Sequence, residues 1–218
     1  MSRPQAVLFD NDGLVLDTET VWTRAEERLF ERRGLAFTAE HKLELVGSSA
    51  ERAGRILEQR LGEPGRAWDL IEELNAIVLD ELDHGVEAMV GADELLVALR
   101  GHGVPIGLVS NSPMAFIRRS IELVGYAPHF DVVVSAHEVA RPKPSPDPYL
   151  EACRLLGVDA GPEVFAFEDS PSGVASAVAA GLTVFGIPSL EGLTLDEAHH
   201  LAESLADAAI LERLGLAR

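Results

Sequence analysis

Ala6-Val7-Leu8-Phe9-Asp10-Asn11-Asp12-Gly13 is the stretch on which the fold turns. Four consecutive apolar residues, with no polar alternation, read as a strand buried on both faces, and Asp-Asn-Asp-Gly reads as the turn that ends it. Further runs of this kind fall at 105–109, 132–134, 164–167 and 183–187. Helical patterns at 114–124, 148–156 and 172–180 separate the last four. Strand-helix alternation of this sort implies right-handed parallel crossovers. The expected fold class is α/β: a Rossmann-like three-layer α/β/α sandwich around a parallel sheet.

The first strand breaks the rhythm, because the chain between it and the run at 105–109 is far longer than a crossover needs. Helical patterns at 18–33, 39–46, 50–61 and 66–83 fill that interval, broken at Gly34, Gly47 and Gly62-Glu63-Pro64-Gly65. The reading is a helical-bundle cap, 18–87, inserted after the first strand of a core made of 1–17 and 88–218. A helix at 91–100 returns the chain to the core, and the acidic, alanine-rich stretch 195–214 is expected to be helix packed on it.

With 218 residues and 47% hydrophobic content, the chain can bury one sizeable core and a modest insertion. Eighteen Lys+Arg against 36 Asp+Glu give a formal charge of −18. No basic run is present to follow a phosphate backbone, so nucleic acid is not an expected partner. The same field repels small anions, which therefore bind only where a cation and backbone N–H groups reverse its sign locally. No apolar stretch has the length of a signal peptide or membrane span, so a cytoplasmic protein without membrane contact is expected, as monomer or homodimer. Cys153, the single cysteine, sits in a helical pattern and reads as a core thiol. The seven histidines show no metal-ligating spacing.

Ligands of open parallel sheets bind beyond the carboxyl ends of the strands. There the sequence sets Asp10 and Asp12 after the first strand, Ser110-Asn111-Ser112 after the second, Arg141-Pro142-Lys143 before the third core helix, and Glu168-Asp169-Ser170 after the fourth strand. Asp10 with Asp169 would offer hard oxygen ligands suited to Mg²⁺. A carboxylate beside that ion can attack phosphorus and split one displacement into two. Asp12 is placed to give a proton to the departing oxygen and take one from water, Lys143 to neutralise phosphate charge, and Ser110 to donate to a phosphoryl oxygen.

These segments together resemble the haloacid dehalogenase superfamily, in its phosphatase and β-phosphoglucomutase-like branch with a helical cap. Val7 to Glu19 is similar to the nucleophile motif, Leu108-Val109-Ser110-Asn111-Ser112 to the phosphate-binding motif, Arg141 to Asp147 to the lysine motif, and Phe167 to Gly173 to the acidic motif. The resemblance covers nearly the whole chain. It implies a Mg²⁺-dependent phosphoric monoester hydrolase acting on a small phosphorylated metabolite, a sugar or polyol phosphate, through an aspartyl-phosphate on Asp10. By the same resemblance Asp10 is nucleophile and metal ligand, and Asp12 is acid/base with its main-chain carbonyl on the metal. Asp169 is a further ligand assisted by Glu168, and Ser110, Asn111 and Lys143 bind phosphate. Substrate choice is assigned to Trp22, Gly47, Ser48 and Arg52 in the cap. Asn11, apolar in many relatives, is expected to face away from the substrate.

Asp12 favours phosphoryl chemistry, since true dehalogenases lack an acid there. β-Phosphoglucomutases carry a histidine shortly after the first motif and an arginine in the cap loop; Trp22 and Ala50 stand at those places, with Arg52 and Arg55 one helical turn on. Sugar-phosphate mutation is therefore the enzymatic alternative. The non-enzymatic alternatives are a receiver-like signalling domain, which carries its acceptor on a middle strand and lacks a cap, and a silent binding module, which would lack a nucleophile or ligand.

Overall fold

β1 (Ala6–Phe9) is sealed from solvent at all four residues. In the computed structural model, which describes residues 3–46, 48–189 and 192–216, it pairs in parallel with β2 (Ile106–Ser110) on one side and β4 (Val164–Glu168) on the other. β3 (Val132–Ser135) lies outside β2, while β5 (Thr183–Gly186) and β6 (His200–Leu201) follow β4. The order is β3-β2-β1-β4-β5-β6, with every pairing parallel. This is the Rossmann-like α/β arrangement. The chain moves outward from β1 to β3, then crosses to β4 and proceeds the other way. The crevice left by that reversal opens at the carboxyl ends of β1 and β4.

Alternation along β1 sends Leu8 to one face and Phe9 to the other. On the first face Leu8, Val109, Val134, Ala166 and Val184 meet Tyr149, Ala152 and Cys153 of α7 (Asp147–Leu156) and Val174 and Ala177 of α8 (Pro171–Ala179). On the second, Phe9 stacks on Phe167 at 5.0 Å and Phe167 on Phe185 at 4.8 Å between ring centroids. α5 (Ala92–Gly101) and α6 (Met114–Leu123) precede and follow β2. Each aromatic pair adds about 0.5–1.5 kcal/mol beyond its buried area. The ladder also fixes register, since Phe9 lies opposite Phe167 and Phe167 opposite Phe185. Asp10 and Glu168, each one residue further on, are thereby brought to the same level of the sheet.

Contacts divide the protein into two compact units, Met1–Asp17 with Glu87–Arg218, and Thr18–Val86. The second contains α1 (Glu19–Glu31), α2 (Ala39–Leu45), α3 (Ala50–Leu61) and α4 (Ala67–Leu82), with α1 and α3 packed on α4 and α2 on α3. Val21, Ala25 and Leu29 of α1 and Leu70, Leu74, Ile77 and Val78 of α4 supply buried stripes at helical spacing. Thr38 caps α2 in a reciprocal box with His41, and Ser49 caps α3. Between α1 and α2, Lys42 Nζ lies 2.8 Å from Glu19 Oε2 and 3.1 Å from Glu26 Oε2. Burial pushes the Glu26 carboxyl up to about 7, since Lys42 opposes the shift only with an ammonium shared between two acids.

In the sheet-bearing unit the chain runs back on itself beside β1: Leu16 forms an antiparallel bridge with Ala88, Asp17 N donates to Glu87 O at 2.8 Å, and Met89 N to Val15 O at 2.9 Å. One expectation fails here. The stretch 195–214 is not a single helix; it holds β6 and only a short α9 (Ala208–Arg213), capped by Asp207. The reason is the open edge of β5, whose N–H and C=O groups need partners. Val184 N donates to His199 Nδ1 at 3.1 Å, and Gly186 O accepts from Ala202 N at 3.1 Å. Edge pairing outweighs the helical propensity of the alanine-rich sequence.

Candidate active site

Asp10 follows β1, and Glu168 and Asp169 lie at the end of β4. All three are buried. Lys143, on the loop before α7, reaches into this group and is itself only 3% exposed. Its ammonium donates to Asp10 Oδ1 at 2.6 Å, Glu168 Oε1 at 2.6 Å and Val109 O at 2.8 Å. All three N–H groups are thus engaged. Burial alone would lower the lysine; Asp10 and Glu168 outweigh it and hold its pKa above the ordinary value. Asp10 is pushed well above the carboxylate range by burial, against the pull of Lys143, with Glu168, Asp169 and Asp12 adding to the rise.

Asp12 sits one turn of loop away. Its Oδ2 accepts from Ser110 Oγ at 2.7 Å and from Ser112 Oγ at 2.8 Å, and its Oδ1 from Asn11 Nδ2 at 3.3 Å. Gly13 makes the loop possible, with φ at +78° and an added Cβ only 2.6 Å from Asp169 Oδ2. Asn111 Oδ1 accepts from the backbone N–H of Lys143 at 3.1 Å and so ties the loop after β2 to the lysine loop. Asn11 is fully buried, with its Oδ1 lacking a hydrogen-bond partner among the described residues.

Asp10, Glu168 and Asp169 offer carboxylate oxygens that lie within 4.8 Å of one another. Three buried carboxylates against the one ammonium of Lys143 leave two negative charges to be met. A hard divalent cation fits both the charge and the all-oxygen donor set. The raised Asp10 is what such a set produces when burial and like charges act on it without enough positive charge.

The sheet-bearing unit therefore gathers Asp10, Asp12, Ser110, Asn111, Lys143, Glu168 and Asp169 at one rim. Trp22, half-buried on α1, Ser48, whose Oγ donates to Glu44 O at 3.1 Å, and Arg52, exposed on α3, belong to the helical unit. Gly47 lies outside the described residues. Sequence reasoning placed Ser112 at the rim without a role of its own, though it completes the seat of Asp12, and passed over Tyr149, whose hydroxyl donates to Glu168 Oε1. The signal for Tyr149 was available: a phenol on the inward face of a helix needs a partner when buried.

A buried acid cluster with a lysine thus stands at the switch point of the parallel sheet, where folds of this class bind their ligands. Residues 7–187 match the family described as haloacid dehalogenase-like hydrolase, and the chain belongs to that family. It is 32% identical to the bifunctional riboflavin kinase/FMN phosphatase of Arabidopsis thaliana across 96% of this chain and 55% of that protein, so it spans about half of that relative's length. It is also 32% identical to (DL)-glycerol-3-phosphatase 2 of Arabidopsis thaliana, across 92% of this chain and 87% of that one. Among solved structures, CbbY from Rhodobacter sphaeroides in complex with phosphate superposes with a TM-score of 0.84 at 26% identity, covering 94% of this chain and 96% of that chain.

Proposed function

We propose that the protein is a Mg²⁺-dependent phosphatase that hydrolyses a small phosphate monoester, of a sugar or polyol, through an aspartyl-phosphate on Asp10. The observation that carries the reading is the seat of Asp10, fixed by Lys143 at 2.6 Å beside Glu168 and Asp169, with Asp12 two residues on. Asp10, Glu168, Asp169 and the main-chain carbonyl of Asp12 are the groups that would hold Mg²⁺, which when bound offsets the carboxylates and polarises the phosphoryl group.

A free Asp10 oxygen forms the bond to phosphorus as the bond to the ester oxygen breaks. Asp12 gives its proton to that oxygen, and the alcohol leaves. Water then attacks phosphorus and gives a proton to Asp12, which frees Asp10 and inorganic phosphate. Ser110 and Ser112, which now donate to Asp12, are within reach of both the acid and a phosphoryl oxygen beside it. The glycerol-3-phosphatase relative supports a polyol ester. The segment Thr18–Val86 is assigned the part of a cap on the strength of the family resemblance, with substrate choice at Trp22, Ser48 and Arg52. The compartment assigned is the cytoplasm, where the buried thiol of Cys153 stays reduced.

The test is release of inorganic phosphate from a panel of sugar and polyol phosphates, with and without Mg²⁺, by the wild type and Asp10→Asn. Release that requires both the ion and Asp10 is expected. A product isomer formed without phosphate release would replace hydrolysis by mutation, and a folded, Mg²⁺-supplied protein inactive on every ester would end the catalytic reading.

A further inference from the structure

Tyr149 is a buried ionisable group that the proposed reaction leaves unused. It lies on α7 with no solvent exposure. Its hydroxyl donates to Glu168 Oε1, the same oxygen that accepts from Lys143 Nζ at 2.6 Å. Its ring lies 5.1 Å from that ammonium, a cation–π distance. Facing a carboxylate oxygen, the phenol oxygen is the donor of this pair.

Glu168 is confined on its other side as well. A Cβ at Gly173 would overlap the carboxylate, so the first turn of α8 closes directly over it. Ser170 Oγ stands 3.5 Å from Oε2. Without the phenol hydroxyl, Glu168 Oε1 would keep only the ammonium as donor, and the last torsion of the carboxylate would be held by that ammonium, the long Ser170 contact and the packing of α8 alone. The ammonium would lose the fixed edge against which it meets Asp10.

We infer that Tyr149 is a positioning residue: its hydroxyl locks Glu168, and the locked carboxylate together with the phenol ring holds the Lys143 ammonium on Asp10. The kinetic arm of the test rests on the phosphatase reading; the spectroscopic arm does not. Tyr149→Phe removes only the hydroxyl and keeps the ring that fills the core. The chain contains two lysines, Lys42 and Lys143, so lysine-labelled NMR of the full chain shows one ammonium from each unit, and Lys42 is the internal control.

In Tyr149→Phe, the Lys143 ammonium signal is expected to shift and its proton exchange to quicken by about tenfold, as a hydrogen-bonded array loosens, while the Lys42 signal is unchanged. On the preferred ester, kcat falls about tenfold with KM within about twofold, the pattern for a contact that matters in the transition state. In a Glu168→Ala background, which leaves the phenol no acceptor, the same substitution costs nothing further, because the two act through one contact. An unchanged Lys143 signal overturns the inference, and so does a kcat loss that multiplies in the double variant. If the wild type hydrolyses no ester, the phosphatase reading falls and the NMR result alone decides Tyr149.

Discussion

The two lysines of this chain occupy the same kind of seat in different surroundings. Lys42 of α2 lies between Glu19 and Glu26, both of α1; Lys143 lies between Asp10 and Glu168 at the ends of two strands. In each an ammonium is shared by two acids, and in each an acid titrates above its ordinary range. What separates them is the third carboxylate. Asp169 joins the strand-end group, and the only set of potential metal ligands found among the described residues is Asp10, Glu168 and Asp169. The lysine between acids is thus a way to bury charge. Chemistry enters where the sheet brings in more negative charge than the lysine can balance.

The strongest blow to the comparison is Asp10→Asn, which leaves Lys143 well paired and removes the nucleophile; kcat/KM is expected to fall by at least about a thousandfold, read as phosphate release. Lys143→Met comes next. It strands Asp10 and Glu168 without their cation and should cost about 3–5 kcal/mol in urea unfolding, with part of the loss restored by Mg²⁺. A Lys143→Met variant as stable as wild type without metal would break the charge argument.

Glu26 gives the pH test. Its folded pKa, about 7, stands above the ordinary 4.5 of a glutamate, so between the two the folded state holds a proton that the unfolded chain releases. Its contribution, about 3 kcal/mol, is complete below 4.5 and is lost as pH rises through about 7. Glu26→Gln should flatten that part of the stability profile relative to wild type. Lys42→Met is the mildest, about 1–2 kcal/mol, because its ammonium is partly solvated, and Mg²⁺ should restore none of it. Restoration by Mg²⁺ would mean that the helical group also draws a cation, and the distinction would fail.

Much of the sheet was legible because its strands are unbroken apolar runs and its polar residues cluster just after them. Asp10, Asp12 and Asp169 could be picked out since each follows such a run, and Lys143 since it stands just before a core helix. What escaped was whatever depended on partners far away in sequence. Tyr149 looks like one more core residue on α7 until Glu168 is beside it, and Ser112 is only the last of a polar run after β2 until Asp12 reaches it. The segment 195–214 was misread because its composition favours helix, while the demand for a strand comes from the edge of β5.

The bridge between Leu16 and Ala88 sets the points where the helical segment leaves and rejoins the sheet-bearing unit side by side. Closing so short a gap calls for no more chain than a hairpin turn. Thr18–Val86 could therefore be shortened or lengthened without rethreading a single strand, because Asp17 and Glu87 already meet through a backbone hydrogen bond of 2.8 Å.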